Sequence, residues 1–371
     1  MASAVKNHSE TEEWMPRYAV VTGRGSSAIY LLLRHLKNHK DFKNRFYMAP
    51  ANVCYAALYP ALYADWNVIL ADTDPVDGNL TWQTFLNAVE QKTKPDVLLI
   101  PHMYGQPVRD LEKIIDYCRK NQIIVIEDCA AAMGSKAPYP LGRMGDYSIF
   151  STGYAKNIEV GYGGILGSEK DRLEWVKDSE SELPYHSADT ENTETLFSRL
   201  YRVLRNNPDN QLDAAVYSAM LNNSRNLFLF RLSEKQKQNV LRSLARLPEV
   251  TDQKRRLFEK YSQRLKESVN DTFDGLLEIY PYAPGAVPWR FSFFIDEKIR
   301  PAFIQECLNR SLPVSDWYPS SAPMIADDGD YPNAEYAAGR IVNFPLQEGV
   351  LESLCQQINS ILQEAAGDVL I

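Results

Sequence analysis

The stretch from Gly145 to Leu166, GDYSIFSTGYAKNIEVGYGGIL, places one lysine in a glycine-rich loop between two apolar runs. The runs "YSIFS" (147–151) and "GGILGS" (163–168) are apolar almost throughout rather than alternating, which suits strands covered on both faces. A loop lysine taken alone is a solvated surface residue. Lys156 is unusual for its setting, since a surface charge is not expected between two buried strands.

The same kind of run recurs upstream, at "YAVVT", "RFYMAP", "NVILADTD", "DVLLIPHM" and "IIVIED". Helical patterns lie between them: "SSAIYLLLRHL", "NVCYAALYPALYA" and "RDLEKIIDYCRK". Strands alternating with helices from about residue 17 to 170 predict an α/β fold with a mostly parallel central sheet. Residues 171–228 are more polar and form an excursion that ends in a helical stretch. "SEKQKQNVLRSLARL" then opens on a capping box, Ser233 with Gln236, and sets Val240, Leu241, Leu244 and Leu247 on one face. Pro248 is expected to end or interrupt that helix. A second amphipathic helix with Leu257, Phe258, Tyr261 and Leu265 leads to a strand, "VPWRFSFFI", and further helices. The expected division is a large α/β domain over 1–248 and a smaller C-terminal α+β domain over 249–371.

Composition narrows the function. The 371 residues are 45% hydrophobic and 24% charged, values of an ordinary globular protein. A net charge of −8 argues against a nucleic-acid partner, and no apolar run reaches the ~18 residues of a membrane span. Five scattered cysteines without a CxxC pair fit a reducing, cytoplasmic setting and neither a disulfide framework nor a zinc site. "ADDGD" (326–330) lacks the other ligands of a calcium loop and reads as a loop before a helix. Arg199, Arg202 and Arg205 share a helical face that is either solvated or anion-binding.

In open parallel sheets ligands gather at the carboxyl ends of the strands. "IIVIED" delivers Glu127 and Asp128 there, "YSIFS" delivers Ser151, and the first strand runs through "TGRGSSA" into a helix. Gly25 with Ser26 and Ser27, one of them expected as N-cap, makes an anion site of free N–H groups and helix dipole. The same turn reads G-x-G-x-x-A (Gly23, Gly25, Ala28), a dinucleotide fingerprint, but the next strand ends "MAPAN" without the required acid. A phosphate seat, a strand-end carboxylate and a loop lysine together point to pyridoxal 5'-phosphate. The lysine would form the Schiff base and the carboxylate would keep the pyridinium nitrogen protonated.

At these residues the chain resembles the DegT/DnrJ/EryC1/StrS aminotransferases, a branch of the fold-type-I pyridoxal-phosphate enzymes. "IIVIEDCAAAMGSK" resembles the family's aspartate segment and the opening stretch its serine-to-lysine segment. "GSSAIYLLL", "PHMYGQPVRDLEKI" and "YPNAEYAAGRIVNFPL" match in order and spacing, so that the resemblance covers about residues 17 to 365. It implies Lys156 as Schiff-base lysine and general acid/base, and Asp128 as pyridinium partner. Ser151 and the backbone of Ser26 and Ser27 would hold the phosphate. It also implies a homodimer that moves an amino group from a donor such as glutamate to a nucleotide-linked keto-sugar.

Three positions depart from the family's pattern. Ala131 stands where a Gln or His usually meets the cofactor's phenolic oxygen. Cys54, followed by Tyr55, stands where an aromatic usually stacks on the ring, leaving Cys54 as either a ring contact or a small buried residue. Leu229 stands where an asparagine is usually lent to the neighbouring subunit. The alternatives are another reaction on the same cofactor, such as a lyase or elimination step, and an NAD(P)-binding oxidoreductase using "TGRGSSA". Dehydratase members of the family replace the lysine by histidine, so Lys156 counts against that version.

Overall fold

The computed structural model describes residues 14–205 and 210–367, without the side chains of 188, 189, 191, 202–205 and 210–215. In chain order the first part runs β1 (Tyr18–Thr22), α1 (Gly25–His39), β2 (Phe46–Pro50), α2 (Tyr55–Tyr63), β3 (Asn67–Ala71) and α3 (Trp82–Gln91). It continues through β4 (Val97–Pro101), α4 (Leu111–Lys120), β5 (Ile124–Asp128), β6 (Tyr147–Ser151) and β7 (Gly164–Ser168). These strands form one sheet in the order β1-β7-β6-β5-β4-β2-β3. Pairing is parallel from β3 to β6, while β7 runs antiparallel to both β6 and β1. Two antiparallel steps return β1 to the direction of β6, so the carboxyl ends of β1, β2, β4, β5 and β6 share one rim.

Alternate residues of the strands feed two different cores, as a sheet covered on both faces requires. Tyr47, Leu99, Ile126, Ile149 and Leu166 pack with α1 and α2, whereas Met48, Leu98, Val125, Phe150 and Ile165 pack with α3 and α4. The dinucleotide reading fails on topology. In a nucleotide-binding βαβ unit the first strand lies beside its successor, but here β1 is at the edge and four strands separate it from β2.

The excursion is helical: α5 (Val176–Glu180), α6 (Ala188–Arg205), α7 (Asn210–Asn223) and α8 (Arg225–Phe228). Next come α9 (Glu234–Leu244) and α10 (Leu247–Ser268). The Ser233–Gln236 capping box forms as expected. Pro248 does not end α9, which stops at Leu244; it lies in the first turn of α10, where its missing N–H costs nothing. The C-terminal part holds β8 (Leu277–Ile279), β9 (Phe291–Ile295), α11 (Arg300–Asn309), α12 (Pro332–Arg340), β10 (Ile341–Phe344) and α13 (Glu348–Ala366). Its three strands are antiparallel, in the order β10-β9-β8, over a separate core of Phe293, Phe303, Leu354 and Ile358. "ADDGD" is the loop before α12. Among the described residues no helix is long and apolar enough to cross a membrane.

The site rim depends on one close approach. A Cβ built on Gly164 would lie 2.2 Å from the carbonyl carbon of Arg24 and 2.4 Å from the nitrogen of Gly25. Because both obstacles are backbone, Gly164→Ala should destabilise by roughly 3 kcal/mol, the upper end of overpacking costs, and should displace the start of α1. Urea unfolding would measure the first effect and cofactor affinity the second.

Candidate active site

A cavity of about 300 Å³ opens at the shared rim. Lys156 and Asp128 line it with Gly25, Ser26, Cys54, Ala131 and Ser151, so all the sequence-predicted residues except Ser27 face one space. Ser27 lies behind it, its hydroxyl donating to Phe228 O (3.1 Å) and Phe230 O (3.0 Å). Neither serine caps α1. The N-cap is Arg24, which makes no side-chain cap bond, and the Ser26 hydroxyl donates to Phe228 O (2.7 Å). What α1 offers an anion is its opening N–H groups, since the first helical bond is Ala28 N–H to Arg24 O (3.0 Å). Ser151 is buried at the end of β6 and its Oγ accepts the Gly153 N–H (3.2 Å), which leaves its own proton to give.

Asp128 ends β5 and accepts the Ala130 N–H (2.9 Å). Burial raises its pKa, with that N–H and the charges of Lys156 and His102 opposing. Lys156 has no hydrogen-bond partner among the described residues. Burial lowers its pKa; Cys54 and Asp128 oppose the shift, and Arg24 and Arg290 add to it. An unpaired, desolvated amine of this kind is the more nucleophilic for being less protonated.

Glu127, the neighbour of Asp128, faces away from the cavity. Its Oε1 accepts from Met144 N and Gly145 N (both 2.6 Å), its Oε2 from Gly142 N (3.0 Å) and His102 Nε2 (3.3 Å). Burial pushes its pKa up, but His102 and these N–H groups hold it below the usual carboxylate range. The Cys129 sulfur lies within 4.8 Å of the ligand atoms of this pair. His102, however, already spends its Nδ1 on the Val108 N–H (3.2 Å), so the cluster reads as structural.

Cys54 is half-buried at the cavity wall, and burial raises its thiol. Tyr55 turns into an aromatic group with Phe197 (5.2 Å), Tyr201 (5.0 Å) and Trp317 (6.0 Å). Leu229 is fully buried in its own chain. Several cavity residues escaped the sequence reading: Arg24, His102, Glu194, Phe197, Trp289, Arg290 and Tyr318. Arg24 donates to Glu194 Oε1 (2.5 Å) and to Leu227 O (3.2 Å), tying the excursion to the rim. Trp289 and Arg290 lie just before β9, which starts at Phe291, rather than inside the strand expected from 287. Of the arginine face of α6, Arg199 is exposed, and the side chains of Arg202 and Arg205 are outside the described ones.

The strand order and the chemistry of this rim define a fold-type-I pyridoxal-phosphate protein. NtdA of Bacillus subtilis, solved with its bound cofactor PMP, has a TM-score of 0.69 to this chain at 16% identity, covering 94% of this chain and 74% of that one. Residues 14–363 match the DegT/DnrJ/EryC1/StrS aminotransferase family, and the chain belongs to it. Among curated relatives, GDP-perosamine synthase of Escherichia coli O157:H7 is 32% identical over 154 residues, which is 40% of this chain and 40% of the synthase. The match thus spans about two fifths of that relative. The dTDP-4-dehydro-2,3,6-trideoxy-D-glucose 4-aminotransferase of Saccharopolyspora spinosa is 24% identical over 80% of this chain and 72% of its own.

The cofactor that the family implies, pyridoxal phosphate, fits the residues present. The fit rests on an unpaired lysine amine, a carboxylate at the next strand end, and the free N–H groups of α1 beside a serine with a proton to donate. Ala131 and Cys54 are small side chains on the cavity wall and leave room in it.

Lys254 of α10 reaches this region, donating to Asn157 Oδ1 (2.9 Å) and Trp289 O (2.8 Å). Burial, with Arg290 and Lys156 nearby, lowers its pKa from the ordinary 10.5 to about 7. The unfolded chain therefore takes up the proton more readily than the folded one, and stability should rise with pH between about 7 and 10. In Lys254→Met that rise should flatten, as denaturant midpoints at pH 7 and pH 9.5 would show.

Proposed function

We propose that this protein is a pyridoxal-phosphate-dependent aminotransferase that moves an amino group from an amino acid, glutamate in the first instance, to a keto-sugar carried on a nucleotide. The observation that carries the reading is Lys156, a desolvated amine without a hydrogen-bond partner among the described residues, which shares its cavity with a strand-end aspartate and a helix N-terminus. The names of the relatives above support the sugar, and family membership supports the amino transfer. When bound, pyridoxal phosphate supplies the electron sink that lets an amino group leave one carbon and join another.

The chain's own residues do the rest. The N–H groups of Gly25 and Ser26 and the Ser151 hydroxyl bind the phosphate. The carboxylate of Asp128 holds the ring nitrogen's proton in place. Lys156 Nζ would hold the cofactor and would take and return the proton at the reacting carbon of the substrate, a task its lowered pKa suits. Phe197, Phe228, Trp317 and Tyr318 line the same cavity, where their apolar surfaces would limit the entry of water. The working form is a cytoplasmic homodimer with a large domain over 1–248 and a small one over 249–371. Leu229, buried in its own chain, has no side chain to lend to a second copy.

Purified protein given the cofactor should develop a visible absorbance that borohydride removes, and glutamate should then yield 2-oxoglutarate in a single half-reaction. Lys156→Ala should lose both. Asp128→Asn should keep the cofactor's covalent link yet slow the half-reaction by ~10²-fold or more, the scale of a lost acid–base partner. Glutamate consumed without 2-oxoglutarate would move the protein to the lyases.

A further inference from the structure

Among the described residues nothing hydrogen-bonds the amine of Lys156, so its direction is set by the residues on either side. Ala155, just before it, has a φ of 58°, in the left-handed region that an alanine rarely adopts. Such a shape persists only where the surroundings impose it, and it gathers at functional sites. Both ends of Ala155 are held. Its N–H donates to Glu159 Oε2 (3.0 Å) within the loop, and its carbonyl accepts from Trp289 Nε1 (2.5 Å). Asn157, just after Lys156, is buried and is also held twice. Its Nδ2 donates to Met133 O (2.9 Å), in the segment that follows Asp128, and its Oδ1 accepts from Lys254 Nζ (2.9 Å).

These holds belong to one device. Lys254 Nζ gives a second hydrogen bond to Trp289 O (2.8 Å), so three hydrogen bonds and the chain from 155 to 157 close a ring at the root of Lys156. Trp289 is fixed from outside the ring, since its N donates to Tyr104 O (2.8 Å) and its indole stacks on Tyr318 with centroids 5.4 Å apart. Lys254 comes from α10, which is packed at its start in one core and near its end in another. Its amine needs two N–H groups for its two bonds, and has them whether or not it carries the extra proton. Lys254 and Asn157 do not themselves line the cavity.

We propose that Lys254 is a positioning residue for the reaction, which through Asn157 and Trp289 holds Lys156 aimed at the carbon whose proton it moves. This role rests on the aminotransferase reading. Proton transfer needs the two atoms within hydrogen-bond reach, and a small misplacement costs rate even where binding is intact. The bond from Asn157 to Met133 O ties the ring to the segment that starts at Asp128, which registers the lysine against the aspartate. The next residue of α10 supplies a control. Arg255 grips the nearby carbonyls of Ala286 (3.1 Å) and Gly134 (3.3 Å) but neither neighbour of Lys156.

The test is the single-turnover half-reaction with glutamate in Lys254→Met, Asn157→Ala, the double variant and Arg255→Met. Lys254→Met and Asn157→Ala should each slow it ~10-fold or more, the scale on which misplaced reacting groups lose rate, with the glutamate KM unchanged and the borohydride-sensitive absorbance reached in full. Lys254→Arg should recover most of the rate. The double variant should be no slower than the slower single one, because both break the same bond. Arg255→Met should lower the denaturant midpoint and leave the rate alone. A wild-type rate in Lys254→Met, losses that multiply in the double variant, or an Arg255→Met as slow as Lys254→Met would overturn the proposal. If Lys254→Met does not fold, Trp289→Phe keeps an aromatic ring, loses the bond to Ala155 O, and should show the same slowing. Failure of the aminotransferase reading looks different: the wild type shows no visible absorbance, while hydrogen exchange in cofactor-free protein still reads the ring. Amides from Ala155 to Gly161 should then exchange faster in Lys254→Met than in wild type or Arg255→Met, and equal exchange in all three would sink the ring itself.

Discussion

The arrangement of the rim depends on a buried carboxylate. Glu127 is fully buried and would be prohibitively costly there without partners. Its two oxygens instead collect three backbone N–H groups from the turn at 142–145 and one imidazole N–H from His102 at the end of β4. One side chain thus joins β5, the exit of β4 and the entry to β6. Because successive strand residues face opposite ways, fixing Glu127 on one side fixes Asp128 on the other. The aspartate owes its position to a neighbour that never meets the cavity.

Much of this was legible from residue order. The uniformly apolar runs gave the doubly covered sheet, because burial on both faces leaves no room for polar alternation. Strand-end Asp128 and Ser151 and loop Lys156 could be read once the carboxyl rim was recognised as the ligand side. Local chemistry misled at the head of α1. Serines at a helix start usually cap it, but here both hydroxyls find carbonyls of Phe228 and Phe230, about two hundred residues away, and the capping position falls to Arg24. No sequence window spans that contact.

The cavity wall was hidden for a similar reason. Residues 188–205 are polar enough to pass for a solvated arm, and Phe197 shows its purpose only beside Tyr55 and Phe228. Arg290 was missed because "VPWRFSFFI" reads as one strand. In the fold Trp289 bonds to Tyr104 and Ala155 instead of joining the ladder, which leaves the next residue free to face the cavity.

α10 carries a lesson of another kind. Leu247 at its start belongs to the core under the large sheet, and Tyr261 and Leu265 near its end belong to the core of the small one. Midway, Lys254 holds Asn157 and the carbonyl of Trp289, the residues next to Lys156 and Arg290. The two cores are therefore joined by a stiff rod and not by a loop. Evolution or an engineer exchanging C-terminal halves between relatives would have to move this rod whole, with the loops it grips, or the lysine and the arginine would fall out of alignment.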